Sequence, residues 1–169
     1  MKQIMSNFIP GPHVGLFVEV EGDESVFLNE IINTIIDSST YDIDEEALEE
    51  EAARTEKQLR ERLVENKKSV GAFCYVNGII EDQLFEYCKA NLVRTALENA
   101  TILSIAEIEG IKVTEKDLAA YKQNYREQYA RVLLTEPDFG EEELVEAICA
   151  RKVLNFLKDN NTAQRKGDL

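Results

Sequence analysis

Residues 44–63 read Asp44-Glu45-Glu46-Ala47-Leu48-Glu49-Glu50-Glu51-Ala52-Ala53-Arg54-Thr55-Glu56-Lys57-Gln58-Leu59-Arg60-Glu61-Arg62-Leu63, and this stretch decides the fold. Asp44 is a good N-cap for a long helix. Asp42, Asp44, Glu45, Glu46, Glu49, Glu50 and Glu51 crowd its start, and Arg60, Arg62, Lys67 and Lys68 lie near its end. That gradient complements the helix macrodipole at both termini. The apolar stripe is thin: Leu48, Ala52, Leu59 and Leu63. A helix this polar is solvated over most of its surface and packs on one partner at most. About 25 residues of it would reach roughly 37 Å. It reads as an arm.

The segment that follows, Val70-Gly71-Ala72-Phe73-Cys74-Tyr75-Val76-Asn77-Gly78-Ile79-Ile80, is apolar for a connection. It folds back on the flanking helices as a local cap, presents an exposed sticky tip, or does both in part. A return helix then runs from about Ile80 to Glu109 and stops at Gly110, a C′ glycine. Leu84, Cys88, Leu92, Ala96, Leu103 and Ala106 line one face of it. From Leu92 onward a second stripe appears at Val93, Leu97, Ala100 and Ile108, so the helix leaves a solvated arm and enters a buried body.

Upstream of the arm, Asp23 or Ser25 caps a helix whose Leu28, Ile31, Ile32, Ile35 and Ile36 recur at helical spacing, ended by Ser38-Ser39-Thr40. Before it, Pro/Gly punctuation opens a short alternating strand, Val14 to Glu21, that Gly22 closes and that has no evident partner. Downstream, Thr114 caps a helix with Asp117 in a capping-box position and Val113 stapled to Leu118. Leu118, Tyr121, Tyr125 and Tyr129 mark that helix. Glu136-Pro137-Asp138-Phe139-Gly140 breaks it, and a last helix from about Glu141 to Lys158 presents Leu144, Ile148, Val153, Phe156 and Leu157. The expected fold is mostly all-α: a helical body with two protruding helical arms and one short N-terminal strand. Its expected division is an extended segment over 1–22, a helical domain over 23–158 and a flexible tail over 159–169.

Composition agrees. The chain has 169 residues, 44 % of them hydrophobic, with only three prolines and eight glycines, so a core can form and long helices are permitted. With 33 acidic against 19 basic residues, the net charge is −14. Such a surface repels phosphate backbones and favours basic or neutral protein partners; alternatively it serves solubility alone. Cys74, Cys88 and Cys149 lack a disulfide spacing and fit a reducing compartment. The start has no signal-peptide pattern and no stretch approaches the roughly 20 apolar residues of a membrane span, so the expectation is cytoplasmic and without membrane contact.

Little chemistry is encoded. The single histidine, His13, lies in a Pro/Gly loop with no cysteine spaced to pair with it. One histidine and scattered cysteines assemble no zinc ligand set. Asp42-Ile43-Asp44-Glu45 resembles a calcium loop, yet Ala47 stands where the loop needs glycine. No phosphate-binding glycine loop or nucleophile elbow occurs, and paired carboxylates are best read as solvated helix faces. The tyrosines at 121, 125 and 129 form either a core stripe or a rigid amphipathic contact surface. No catalysis, cofactor or metal is expected.

Four strings in order resemble the C-terminal, substrate-holding domain of bacterial trigger factor. Glu30-Ile31-Ile32-Asn33-Thr34-Ile35-Ile36-Asp37-Ser38-Ser39-Thr40-Tyr41-Asp42-Ile43 resembles its opening helix and turn, with Asp44 in place of a proline. Tyr75-Val76-Asn77-Gly78 through Leu84 is similar to its hairpin tip. Glu107-Ile108-Glu109-Gly110-Ile111-Lys112-Val113-Thr114-Glu115 resembles a junction between helices and is the most specific of the four. Arg151-Lys152-Val153-Leu154-Asn155-Phe156-Leu157 is similar to the closing helix. The resemblance covers about residues 25–160 and implies two arms around a cradle for unfolded chains. Neither the family's ribosome-docking signature, Gly-Phe-Arg-x-Gly-Lys, nor its prolyl-isomerase domain has a counterpart in these residues, so only client holding carries over.

The leading expectation is therefore a chaperone-like holdase, independent of ATP, whose partners are unfolded or nascent polypeptides. Its expected contacts are Val70, Phe73, Tyr75 and Ile79 at the first tip, and Tyr121, Tyr125, Leu133, Leu134 and Phe139 on the second arm. The alternative is an adaptor or assembly protein that uses the same surfaces for one partner or for a homodimer. An enzyme is the third and least supported reading.

Overall fold

The computed structural model describes residues 4–21, 23–129 and 140–165. They form six α-helices and four short strands, in the order β1 (Met5–Ile9), β2 (Phe17–Val20), α1 (Glu24–Asp37), β3 (Thr40–Ile43), α2 (Glu45–Glu65), α3 (Val70–Val76), α4 (Leu84–Ile108), α5 (Glu115–Tyr129), α6 (Glu141–Asn160) and β4 (Thr162–Arg165), with one 3₁₀ turn at Glu81–Gln83. The mostly-α expectation holds. The chain divides into two compact units, one of Met1–Ile9 with Thr40–Asn99 and the other of Pro10–Ser39 with Ala100–Leu169.

Helix starts follow side-chain caps. The Asp23 carboxylate accepts from the amides of Ser25 and Val26, that of Asp44 from Ala47, and the Ser69 hydroxyl from Ala72. Thr114 and Asp117 cap reciprocally: Asp117 Oδ2 accepts from the Thr114 amide at 2.9 Å, and Thr114 Oγ1 accepts from the Asp117 amide at 3.3 Å.

Three helix ends share one C-terminal design, in which the amides one and two residues past the cap return to carbonyls in the last turn. In α2 the Lys67 amide reaches the carbonyl of Val64 and the Lys68 amide that of Leu63; in α3, Gly78 reaches Tyr75 and Ile79 reaches Cys74; in α4, Gly110 reaches Glu107 and Ile111 reaches Ala106. The left-handed residue is glycine at 78 and 110, but lysine at 67.

In the first unit α2 and α4 run antiparallel. Ala47 and Leu48 at the start of α2 pack with Leu92, Val93 and Ala96, while Leu59 near its end packs with Cys74, Leu84 and Cys88. Lys89 reaches Glu45 at 3.1 Å and Glu49 at 3.7 Å. β1 pairs antiparallel with β3, and the register shifts between Ser6 and Ile9 beside Asn7, whose φ is 51°.

In the second unit a continuous core joins Val18 and Val20 of β2, Phe27, Ile31, Ile32 and Ile35 of α1, Ile105 and Ala106 of α4, and Val153 and Leu157 of α6. The strand that lacked a partner in the sequence has one here. β4 pairs with β2 in parallel from Phe17↔Thr162 to Val20↔Arg165, using residues that read as tail. Asn161 stitches the loop before β2 to the end of α6: its Oδ1 accepts from the Leu16 amide at 2.8 Å, and its Nδ2 donates to the carbonyls of His13 at 3.1 Å and Leu157 at 2.7 Å.

Candidate functional site

The apolar segment at 70–80 is both a cap and a tip, because α3 is a helix and divides its side chains between two faces. Cys74 is buried against Leu84 and Cys88, with Val70, Phe73, Ile79 and Tyr87 packed half-buried around them. The Phe73 and Tyr87 rings meet edge to face at 6.0 Å, and the Tyr87 hydroxyl is hydrogen-bonded to Asn77 Oδ1 at 2.9 Å. On the opposite side Tyr75 is 85 % exposed and Val76 82 % exposed, followed by exposed Ile80. Large apolar groups held in water to that extent are available to a partner.

Two concavities flank this tip. One, of about 410 Å³, is floored by Leu59, Phe73, Tyr87, Cys88 and Leu92, with Ile4 contributed from the residue before β1. Its rim is polar, including Gln58, Asn91 and Glu51, and the Glu51 carboxylate is paired with Arg54. The other, of about 480 Å³, lies between the C-terminal turns of α2 and α3 and is lined by Leu59, Leu63, Phe73 and Val76 with Arg62 and Lys68. Leu59, Arg62 and Phe73 border both. Each volume lies within the roughly 300–1,000 Å³ typical of ligand clefts.

Of the residues singled out in the sequence, Val70, Phe73, Tyr75 and Ile79 are brought together here, with Tyr75 the exposed one and the other three half-buried. Tyr121 lies half-buried on α5. Tyr125 is also on α5, but its side chain falls outside the described residues, as do Leu133, Leu134 and Phe139 altogether. Ile4, Tyr87, Val76 and Ile80 also belong to the site and were not among the expected contacts. Helical spacing within 70–76 carries the signal for Val76, since 70, 73 and 74 share one face and 75 and 76 fall on the other. No local signal exists for Ile4, which reaches the groove through the pairing of β1 with β3.

The other chemistry-bearing groups have structural surroundings. His13 Nε2 is 2.8 Å from Glu109 Oε1, and its ring lies 6.4 Å from that of Phe156. Burial pushes the Cys88 thiol above its ordinary range, the direction opposite to that of an activated thiolate. Among the described residues no three His, Cys, Asp or Glu side chains gather in a way that would hold a metal ion, and no helix is long and apolar enough to cross a membrane.

Residues 21–159 match the family model for the C-terminus of bacterial trigger factor protein. The chain is 24 % identical over 139 residues, 81 % of its length, to trigger factor from Staphylococcus epidermidis, and 24 % identical over 134 residues, 78 % of its length, to trigger factor from Bacillus mycoides. It spans about a third of the length of these curated relatives, 32 % in each case.

Proposed function

Because this chain belongs to the family of bacterial trigger factor C-termini, we propose that it holds unfolded or nascent polypeptides weakly and without ATP, as a chaperone module of the cytoplasm. The observation that carries this reading is the pairing, within one unit, of an apolar tip standing in water at Tyr75, Val76 and Ile80 with two apolar concavities beside it. Val70, Phe73 and Ile79 support the tip from beneath. Tyr121, Tyr125, Leu133, Leu134 and Phe139 form the second set of proposed client contacts.

Magnitudes suit a holder that releases. An apolar client side chain fully buried here contributes about 1.5–3 kcal/mol. Two or three of them give only about 3–9 kcal/mol before the cost of association, and micromolar affinity needs about 8 kcal/mol net. Clients leave without an energy source.

The test is aggregation of a denatured model protein, followed by light scattering at stoichiometric amounts of this chain. A delay that falls when Tyr75 and Val76 are replaced by serine supports the reading; absence of any delay ends it. A dedicated adaptor or a homodimer using the same surfaces would instead give one sharp complex and no effect on diverse clients.

A further inference from the structure

In the first unit the unpaired cations among the described residues gather at one place, Arg62, Lys67 and Lys68 at the end of α2. Arg54, Lys57, Arg60, Lys89 and Arg94 each have a carboxylate within 4.0 Å. Arg62 and Lys68 have none among the described residues, and both line the concavity between α2 and α3, whose lining includes no Asp or Glu. In a chain of net charge −14, an apolar hollow whose only charged lining residues are unpaired cations is a local reversal of the surface.

We propose that this concavity takes polypeptide segments in which apolar side chains are flanked by Asp or Glu, the apolar groups resting on Leu59, Leu63, Phe73 and Val76 and the carboxylates meeting Arg62 and Lys68. This rests on the holding function proposed above and names the client class for one part of that surface.

The acidic start of α2 does not cancel the attraction. Glu51, the last of that cluster, is eleven residues before Arg62, about 16 Å along the helix. That is about two Debye lengths at physiological ionic strength. Closer by, Glu56 is held by Arg60 at 2.7 Å and Glu61 by Lys57 at 4.0 Å, while Glu65 on α2 and Glu81, whose carboxylate sits beside Gly71, do not line the hollow. Lys68 is fixed in place by the turn that ends α2, because its amide is bonded to the Leu63 carbonyl at 2.8 Å.

The probes are two fluorescein-labelled peptides with the same leucine–phenylalanine core, one flanked by glutamates and its twin by lysines. Binding is read by fluorescence anisotropy on the full chain. The glutamate peptide should bind roughly three- to tenfold tighter, from two exposed charge contacts, and should lose that advantage at high salt. The double variant R62E/K68E should invert the order. Equal binding of the twins, tighter binding of the lysine twin, or an order unchanged in R62E/K68E overturns the proposal. Should that variant misfold by circular dichroism, R62Q/K68Q must level the twins instead, and a preference that survives in it overturns the proposal too. A mass in sedimentation that doubles for the native chain but not for the variant assigns the hollow to a second copy and likewise overturns it. Delayed aggregation of a model client without peptide preference would sink this inference while leaving the holding function standing.

Discussion

Lys67 has φ 56°, where the equivalent residues of the two other helix ends built alike, Gly78 and Gly110, have 68° and 63°. The left-handed region costs an L-residue about 1–2 kcal/mol, part of which glycine returns through the greater freedom of its unfolded chain. Lys67→Gly is therefore expected to stabilise the protein by roughly 0.5–1 kcal/mol, read as a higher urea midpoint with an unchanged slope. A lower midpoint would mean that the lysine side chain is worth more than its backbone costs. Asp117 is the other residue whose surroundings predict a number. Lys152, at 2.8 Å, and the Thr114 amide and hydroxyl lower its pKa to about 2 from the ordinary 3.8. Because the folded value is depressed, the stabilisation is complete above pH 3.8 and fades as pH falls through about 2. A carbon-detected titration should find the Asp117 midpoint near 2, and Lys152→Met should raise it, since Lys152 is the largest cause. A midpoint that ignores Lys152 would refute the pairing.

At the scale of elements, α3 separates support from contact. Phe73 faces inward on Tyr87, and an edge-to-face pair adds about 0.5–1.5 kcal/mol beyond its buried area; Phe73→Ala should therefore lower stability by about 1 kcal/mol or more. Tyr75→Ser and Val76→Ser alter side chains that stand in water, so stability should stay within about 0.5 kcal/mol while client capture falls. Equal losses of stability at the two faces would show that the tip is folded onto something. The helices were legible because their punctuation is local: Asp23, Asp44, Thr114 with Asp117, and Gly110 all act where the sequence places them. Of the strands only β2 was legible, as the alternation within Val14 to Glu21; β1, β3 and β4 were not. β1 finds its partner only after α1, through a register interrupted at Asn7, and β4 is Thr-Ala-Gln-Arg, held to β2 by backbone bonds with exposed side chains at 162–164. Backbone pairing leaves no trace in side-chain pattern. The candidate site was half legible for the same reason: the aromatics at 73 and 75 are visible in the sequence, but Ile4 comes to the groove through a strand that no alternation announces.

For the molecule as a whole, charge decides the response to salt. Thirty-three acidic side chains face nineteen basic ones, so a net charge of −14 repels itself in the folded state more than in the expanded one. Added salt screens that repulsion, and it also weakens exposed pairs such as Lys158 with Glu24 at 2.6 Å and Arg94 with Glu98 at 2.8 Å. Exposed pairs contribute only about 0–1 kcal/mol each, so the repulsion among fourteen uncompensated charges outweighs them. The thermal midpoint should therefore rise as sodium chloride is raised from about 0.05 M to about 0.3 M, a span over which the Debye length falls from well above 10 Å to below 8 Å. The same charge falls as pH approaches the isoelectric point near 4.5, where solubility should pass through its minimum. Held polypeptides and a charged holder thus respond oppositely to salt: apolar capture at Tyr75 and Val76 persists, while the preference set by Arg62 and Lys68 is screened away. A midpoint that falls on adding salt would show that ion pairs, not repulsion, dominate this surface, and the charge would then have to be read as structural.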